Sequence, residues 1–181
     1  SITTQGLGFG VTHEPVTAVQ LSRGKAEATA LFEAALLEQD LGRLAADLVL
    51  FATSEFGFVA LAADITTGSS MLPQKRNPDV FELARGRAAE SWAALSEVAA
   101  IVAKMPSGYH RDYQLIKKPL FRSLDSVLST ARVMSHALTR TTFQPDRCAA
   151  AIEPSMLMAE KAYTLVRDQG LSFRDGARRV R

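Results

Sequence analysis

Leu37, Leu41, Leu44, Leu48 and Phe51 recur at alternating steps of four and three residues, the period of a helix that lies along another helix for several turns. Such a stripe has to be covered by other helices, and it predicts a long helix over about Val19 to Phe58. A second stripe, Leu120, Leu124, Val127, Ala131, Met134 and Leu138, repeats the spacing and predicts another helix from Lys117 to about Thr141. Between them, Pro78 to about Lys104 is rich in Ala, Leu, Glu and Arg and sets Phe81, Ala84, Ala88, Leu95, Val98 and Val102 on one broad face, so a third long helix is expected. At its start Asn77 is available as a cap, and Pro78 suits the first helical position, where no N–H is needed. Asp79 and Glu82 favour the positive end of the helix dipole. Gly68 to Lys75 must then form a loop.

Beyond Thr141 the pattern shortens. Pro145, Pro154 and Gly170 punctuate the chain, leaving room for short helices in Asp146 to Ile152 and Ser155 to Gln169. Ser172 and Asp175 stand at capping-box spacing ahead of Gly176, Ala177 and Val180, so the chain is expected to stop just after a helix has begun. No strand, internal repeat or low-complexity linker is expected. The fold class is therefore all-α: a long-helix bundle over residues 1–143, followed by the start of a small helical region over 144–181. Three such helices carry more apolar surface than a three-helix layer hides, which points to missing elements at both ends or to partner subunits. A complete three-helix bundle with a frayed tail is the alternative.

Composition narrows the function classes. The 181 residues are 47% hydrophobic, enough for one core. Twenty-one Lys and Arg against 19 Asp and Glu leave a formal charge of +2, so no nucleic-acid partner is expected. Cys148 is the single cysteine; it excludes an internal disulfide, supplies no metal cluster and fits a reducing, cytoplasmic compartment. No stretch approaches the roughly 18 apolar residues of a membrane span. Ser1 to Gly10 has neither the basic start nor the apolar run of an export signal.

The most informative stretch is Gly68-Ser69-Ser70-Met71-Leu72-Pro73-Gln74-Lys75-Arg76-Asn77-Pro78. It places a flexible glycine, two hydroxyls, a cation and an amide in one loop directly before a helix N-terminus, where unpaired N–H groups and a partial positive charge attract carboxylates. When a proton leaves the carbon beside a carboxylate, charge moves onto the carboxylate oxygens, and donors aimed there lower the barrier. Proton abstraction followed by elimination is the matching chemistry. A serine base needs surroundings that stabilise its alkoxide. From the residues alone, a plain turn and cap is the more ordinary account of this loop. Nucleotide binding is disfavoured, because Gly68 completes no phosphate loop and no Ser or Thr follows Lys75.

Extended through Asp79, this stretch resembles the signature loop GSSxMPxKxNP of the fumarase, aspartase and argininosuccinate lyase superfamily. It departs in the order Met71-Leu72, where the family has methionine immediately before the proline; that exchange of apolar residues costs little. The resemblance implies that Ser69 is the catalytic base, that Ser70 helps form the loop and contacts substrate, and that Lys75 and Asn77 hold a substrate carboxylate and stabilise the carbanion. Pro106-Ser107-Gly108-Tyr109-His110-Arg111-Asp112-Tyr113-Gln114-Leu115-Ile116-Lys117 resembles the argininosuccinate lyase segment in which a tyrosine, a glutamine five residues on and a lysine three further contact substrate. Tyr109, Gln114 and Lys117 keep that spacing, although Leu115 and Ile116 replace the acidic pair common in the family. Without the resemblance the same residues read as solvated surface. Leu48 to Val59 is similar to the end of the family's preceding long helix.

The resemblance implies reversible β-elimination of argininosuccinate to arginine and fumarate, a step of arginine biosynthesis, without a cofactor or metal. It also implies a homotetramer in which subunits share each active site. The earlier histidine-bearing motif that supplies the general acid has no counterpart here, and His13, His110 and His136 do not replace it, so the chain alone is expected to be inactive. Adenylosuccinate lyase or another superfamily lyase is the alternative enzyme, and a non-catalytic, crystallin-like structural protein is the alternative outside enzymes.

Overall fold

The computed structural model describes residues 2–11 and 16–180, and His13 lies outside them. It is predominantly helical, with long joined helices and no closed sheet. Two short helices, α1 (Ile2–Gly6) and α2 (Val16–Leu21), precede three long ones: α3 (Lys25–Phe51), α4 (Asp79–Val102) and α5 (Lys117–Thr139). α6 (Pro145–Ala150), α7 (Met158–Gln169) and α8 (Phe173–Arg179) follow. Among the described residues no helix is long and apolar enough to cross a membrane.

The long helix expected from Val19 to Phe58 is divided. Gly24 has φ +85°, and a Cβ there would lie 2.3 Å from Val102 Cγ1. The chain therefore turns sharply between α2 and α3, where only glycine tolerates both the dihedral and the contact. At the other end the helix stops at Phe51, and Gly57 turns the chain with φ +58°. Strands are present where none was expected: β1 (Val59–Leu61) pairs with β2 (Thr141–Phe143) in a two-stranded sheet. Three residues are too few for alternation to register in a sequence. α4 starts one position later than expected, with Pro78 as the residue before the first helical one and no side-chain cap. Asn77 does not cap, because Pro78 holds the N-cap position and the Asn77 side-chain amide is turned to Gly68 O.

The chain divides into two compact units, Ser1–Leu50 with Leu61–Thr141, and Phe51–Ala60 with Thr142–Arg181. In the first, Leu31, Ala94, Val98 and Ile116 form the core, flanked by Ala28, Leu95, Ile101, Val102 and Leu120. The faces packed inside the chain overlap the leucine stripes only in part: Leu48 and Met134 are buried and Leu120 packs against the core. α3 buries Leu31, Ala34, Ala35, Glu38, Gly42, Ala45 and Leu48, while Leu37 and Leu44 remain 47% and 39% exposed. α5 turns inward Pro119, Ser123, Ser126, Thr130, Met134 and Ala137, leaving Leu124, Leu128 and Leu138 at the surface. Small side chains let the backbones approach closely: a Cβ on Gly42 would be 3.4 Å from the Ala88 Cβ.

The buried serine hydroxyls gather around one carboxylate, whereas the buried Thr130 hydroxyl has no hydrogen-bond partner among the described residues. Ser91 Oγ donates to Glu38 Oε2 at 2.7 Å, Ser126 Oγ donates to Oε1 at 2.8 Å, and Ser91 and Ser123 share a 2.6 Å hydrogen bond. In the second unit, Phe51, Phe56 and Phe58 pack ring to ring. There α7 and α8 join through the Tyr163–Phe173 ring pair, and α8 is capped at its start by Ser172, whose Oγ accepts from the Asp175 N–H and donates to the Asp175 carboxylate.

Candidate functional site

The loop from Gly68 to Arg76 is tied at its base by a two-way backbone pairing: Thr67 N–H donates to Asn77 O at 3.1 Å and Asn77 N–H to Thr67 O at 2.8 Å. The Thr67 hydroxyl donates to the Asp79 carboxylate in the first turn of α4, so both strands of the loop's neck are fixed to the helix start. Within the loop, Lys75 N–H donates to Leu72 O at 3.0 Å and closes a turn. The Asn77 side-chain amide reaches Gly68 O at 3.5 Å, the outer limit of a hydrogen bond.

Ser69 sits half-buried at the centre of this turn. Its Oγ accepts from the backbone N–H groups of Met71, at 3.3 Å, and Leu72, at 3.2 Å. Two amide dipoles thus converge on the hydroxyl oxygen, the direction of field that favours negative charge on it. Ser70, Lys75 and Arg76 are exposed, and Met71 is 86% exposed at the loop's tip. The loop presents these polar groups outward.

Tyr109, Gln114 and Lys117 lie beyond the far end of α4. Gly108, at φ +108°, turns the chain before Tyr109, which is 57% exposed. A 3-10 turn, Arg111–Gln114, leads into α5. Tyr113 and Ile116 are buried and anchor this segment to the core; their neighbours Gln114 and Lys117 consequently face outward. α4 has 24 residues, so its two ends are separated by about 36 Å at 1.5 Å per residue. One copy of the chain therefore carries Ser69, Ser70, Lys75 and Asn77 in the segment before α4 and Tyr109, Gln114 and Lys117 in the segment after it, with the length of the helix between the two sets. Among the described residues no three or more His, Cys, Asp or Glu side chains are placed to hold a metal ion.

Two contacts around these segments are invisible in the sequence. The Thr67–Asp79 tie joins residues twelve apart, and the helix dipole by itself is reason enough for an aspartate at position 79. The Arg23 guanidinium lies over the Tyr113 ring, 5.0 Å from its centroid, a pairing that no local spacing announces.

A protein-family profile described as "Lyase" matches residues 3–90. The chain is 46% identical over 175 residues to the argininosuccinate lyase of Sorangium cellulosum (strain So ce56), covering 96% of this chain and 40% of that protein. It is 41% identical over 173 residues to the argininosuccinate lyase of Xylella fastidiosa (strain Temecula1 / ATCC 700964), covering 96% and 38%. The chain thus spans about two fifths of the length of these curated relatives. Among solved structures, an EDDS lyase in complex with formate superposes with TM-score 0.72 at 24% identity over 83% of this chain and 30% of that one. The 3-carboxy-cis,cis-muconate lactonizing enzyme from Pseudomonas putida gives 0.71 at 19% identity over 98% and 39%. At those identities the structural likeness concerns the fold.

Proposed function

This chain belongs to the fumarase/aspartase lyase superfamily, and from that premise we propose that its protein is an argininosuccinate lyase, cleaving argininosuccinate reversibly to arginine and fumarate. The observation that carries this reading is the Ser69 hydroxyl, held by two backbone amides in a loop whose neck is tied to the start of α4. Ser69 is the base that takes the proton from the carbon beside a substrate carboxylate. The negative charge that develops spreads onto that carboxylate, where Lys75, Asn77, Ser70 and the α4 N-terminus stabilise it. The electron pair then forms the new double bond as the C–N bond breaks, releasing fumarate and an arginine nitrogen that must gain a proton. We assign no histidine of this chain as that proton's donor.

Tyr109, Gln114 and Lys117 are the remaining substrate contacts. Because α4, about 36 Å long, stands between them and the Ser69 loop, they serve a site completed by a second copy of the chain, and a homotetramer with shared sites meets that need. The exposed Leu37, Leu44, Leu124 and Leu138 offer the faces for such an assembly. A cytoplasmic location accords with the lone, unpaired Cys148.

The test is fumarate release by the full-length, assembled protein, offered argininosuccinate or adenylosuccinate, in wild type and in Ser69→Ala. Release from argininosuccinate alone, falling by at least about 10²-fold in the mutant, is the expected result. Release from adenylosuccinate would move the protein to the other lyase whose loop carries the Lys75-Arg76-Asn77-Pro78 run. No release from either would leave a structural role.

A further inference from the structure

The segment that carries Tyr109, Gln114 and Lys117 is held at both ends by one short turn, Ser22–Gly24, contributed by the junction of α2 and α3. At the near end, Gly24 lies against Val102, the last residue of α4, so closely that a Cβ would sit 2.3 Å from Val102 Cγ1. At the far end, the Arg23 guanidinium covers the Tyr113 ring. The turn is itself fixed: Lys25 N–H donates to Ser22 O at 3.1 Å, and Gly24 N–H donates to Glu27 Oε2 at 2.8 Å. Tyr113 is only 3% exposed and precedes Gln114 directly. Its ring therefore sets the rotation of the 3-10 turn, and with it the direction in which Gln114 leaves the surface.

We propose that Arg23 and Tyr113 are positioning residues for substrate binding, their cation–π pair holding Gln114 and the start of α5 in register with the site. The inference rests on the lyase reading above. It requires neither side chain to touch substrate: the positive charge over the ring face restrains an otherwise irregular connection between α4 and α5. Glycine at position 24 is needed because its φ of +85° turns the chain at the spot where Arg23 meets the ring. A connection loosened at Tyr113 would leave Gln114 and Lys117 free to sample several directions, and ordering them would then weaken substrate binding.

The test uses the full-length assembled protein, with Arg23→Ala, Tyr113→Leu, their double mutant and Tyr113→Phe, following fumarate release from argininosuccinate. Expected are a KM raised about three- to tenfold in each of the first two with kcat within about twofold, and a double mutant no worse than the singles. Tyr113→Phe, which keeps the ring face, should stay near wild type. An unchanged KM, a double mutant whose effects multiply, or a Tyr113→Phe as impaired as Tyr113→Leu would each overturn the proposal. If Tyr113→Leu fails to assemble, Arg23→Ala carries the test by its KM alone, a value within about twofold of wild type overturning the proposal. Wild-type protein that releases no fumarate would instead overturn the lyase reading, and the positioning role with it.

Discussion

Glu38 is fully buried, yet its carboxylate meets hydroxyls rather than a cation: Ser91 on α4 and Ser126 on α5 each donate to one of its oxygens, and Ser123 extends the chain of hydrogen bonds. The network links all three long helices, and its value lies mainly in the groups that would be left unpaired without it. Glu38→Ala should therefore cost about 2–4 kcal/mol, from a cavity plus orphaned hydroxyls. Glu38→Gln, which keeps the length and one acceptor oxygen, should cost less than half of that. Urea unfolding midpoints compare them, and an alanine variant as stable as wild type would show the network to be dispensable. Sequence offers no sign of it: glutamate on a helix is ordinarily solvent-exposed, and its partners lie 53 and 88 residues away. The opposite holds for Ser69, Lys75 and Asn77, which share one short stretch of chain and form a contiguous motif legible from the amino-acid order itself.

Individual helices follow local rules unevenly. α4, α5 and α7 lie close to where their apolar periods and proline and glycine boundaries put them, because those signals act within a turn or two. α8 is similarly legible from Ser172, whose hydroxyl caps the helix by accepting from the Asp175 N–H, while the Asp175 carboxylate accepts from that hydroxyl rather than from the Ser172 N–H of a full capping box. Removing that cap with Ser172→Ala should cost about 1 kcal/mol, seen as faster hydrogen exchange of the α8 amides; unchanged exchange would mean that packing on α7 alone holds the helix. Gly176→Ala should be more damaging, since its Cβ would lie 2.9 Å from the Ala162 carbonyl oxygen of α7. α3 is shorter at both ends than its apolar period predicts. A continuous period says where a helix can bury a face, whereas Gly24 sets where it begins through a dihedral and a neighbour that the period does not contain, and the turn from Ala52 to Gly57 follows its end at Phe51.

At the scale of the molecule, the leucine stripes are only partly used inside the chain, through Leu48, Leu120 and Met134. Leu37 and Leu44 on α3 and Leu124 and Leu138 on α5 stay exposed, while Ala, Ser and Gly positions carry the packing inside the chain. If the stripes serve assembly, Leu37→Lys with Leu44→Lys should lower the sedimentation coefficient of the full-length protein below that of a tetramer while leaving its helical circular dichroism unchanged. Wild-type sedimentation by the double mutant would remove that face from the assembly. Helix class, the three long elements and the positions of both candidate segments were determined by the sequence itself, because periodicity, helix-terminus chemistry and contiguous motifs are local properties of the chain. Which helix face turns inward, where a carboxylate can be buried, and that Ser69 and Tyr109 stand at opposite ends of α4 were decided only by the tertiary structure. They depend on close approach between residues far apart in the chain and on the rigid length of a 24-residue helix.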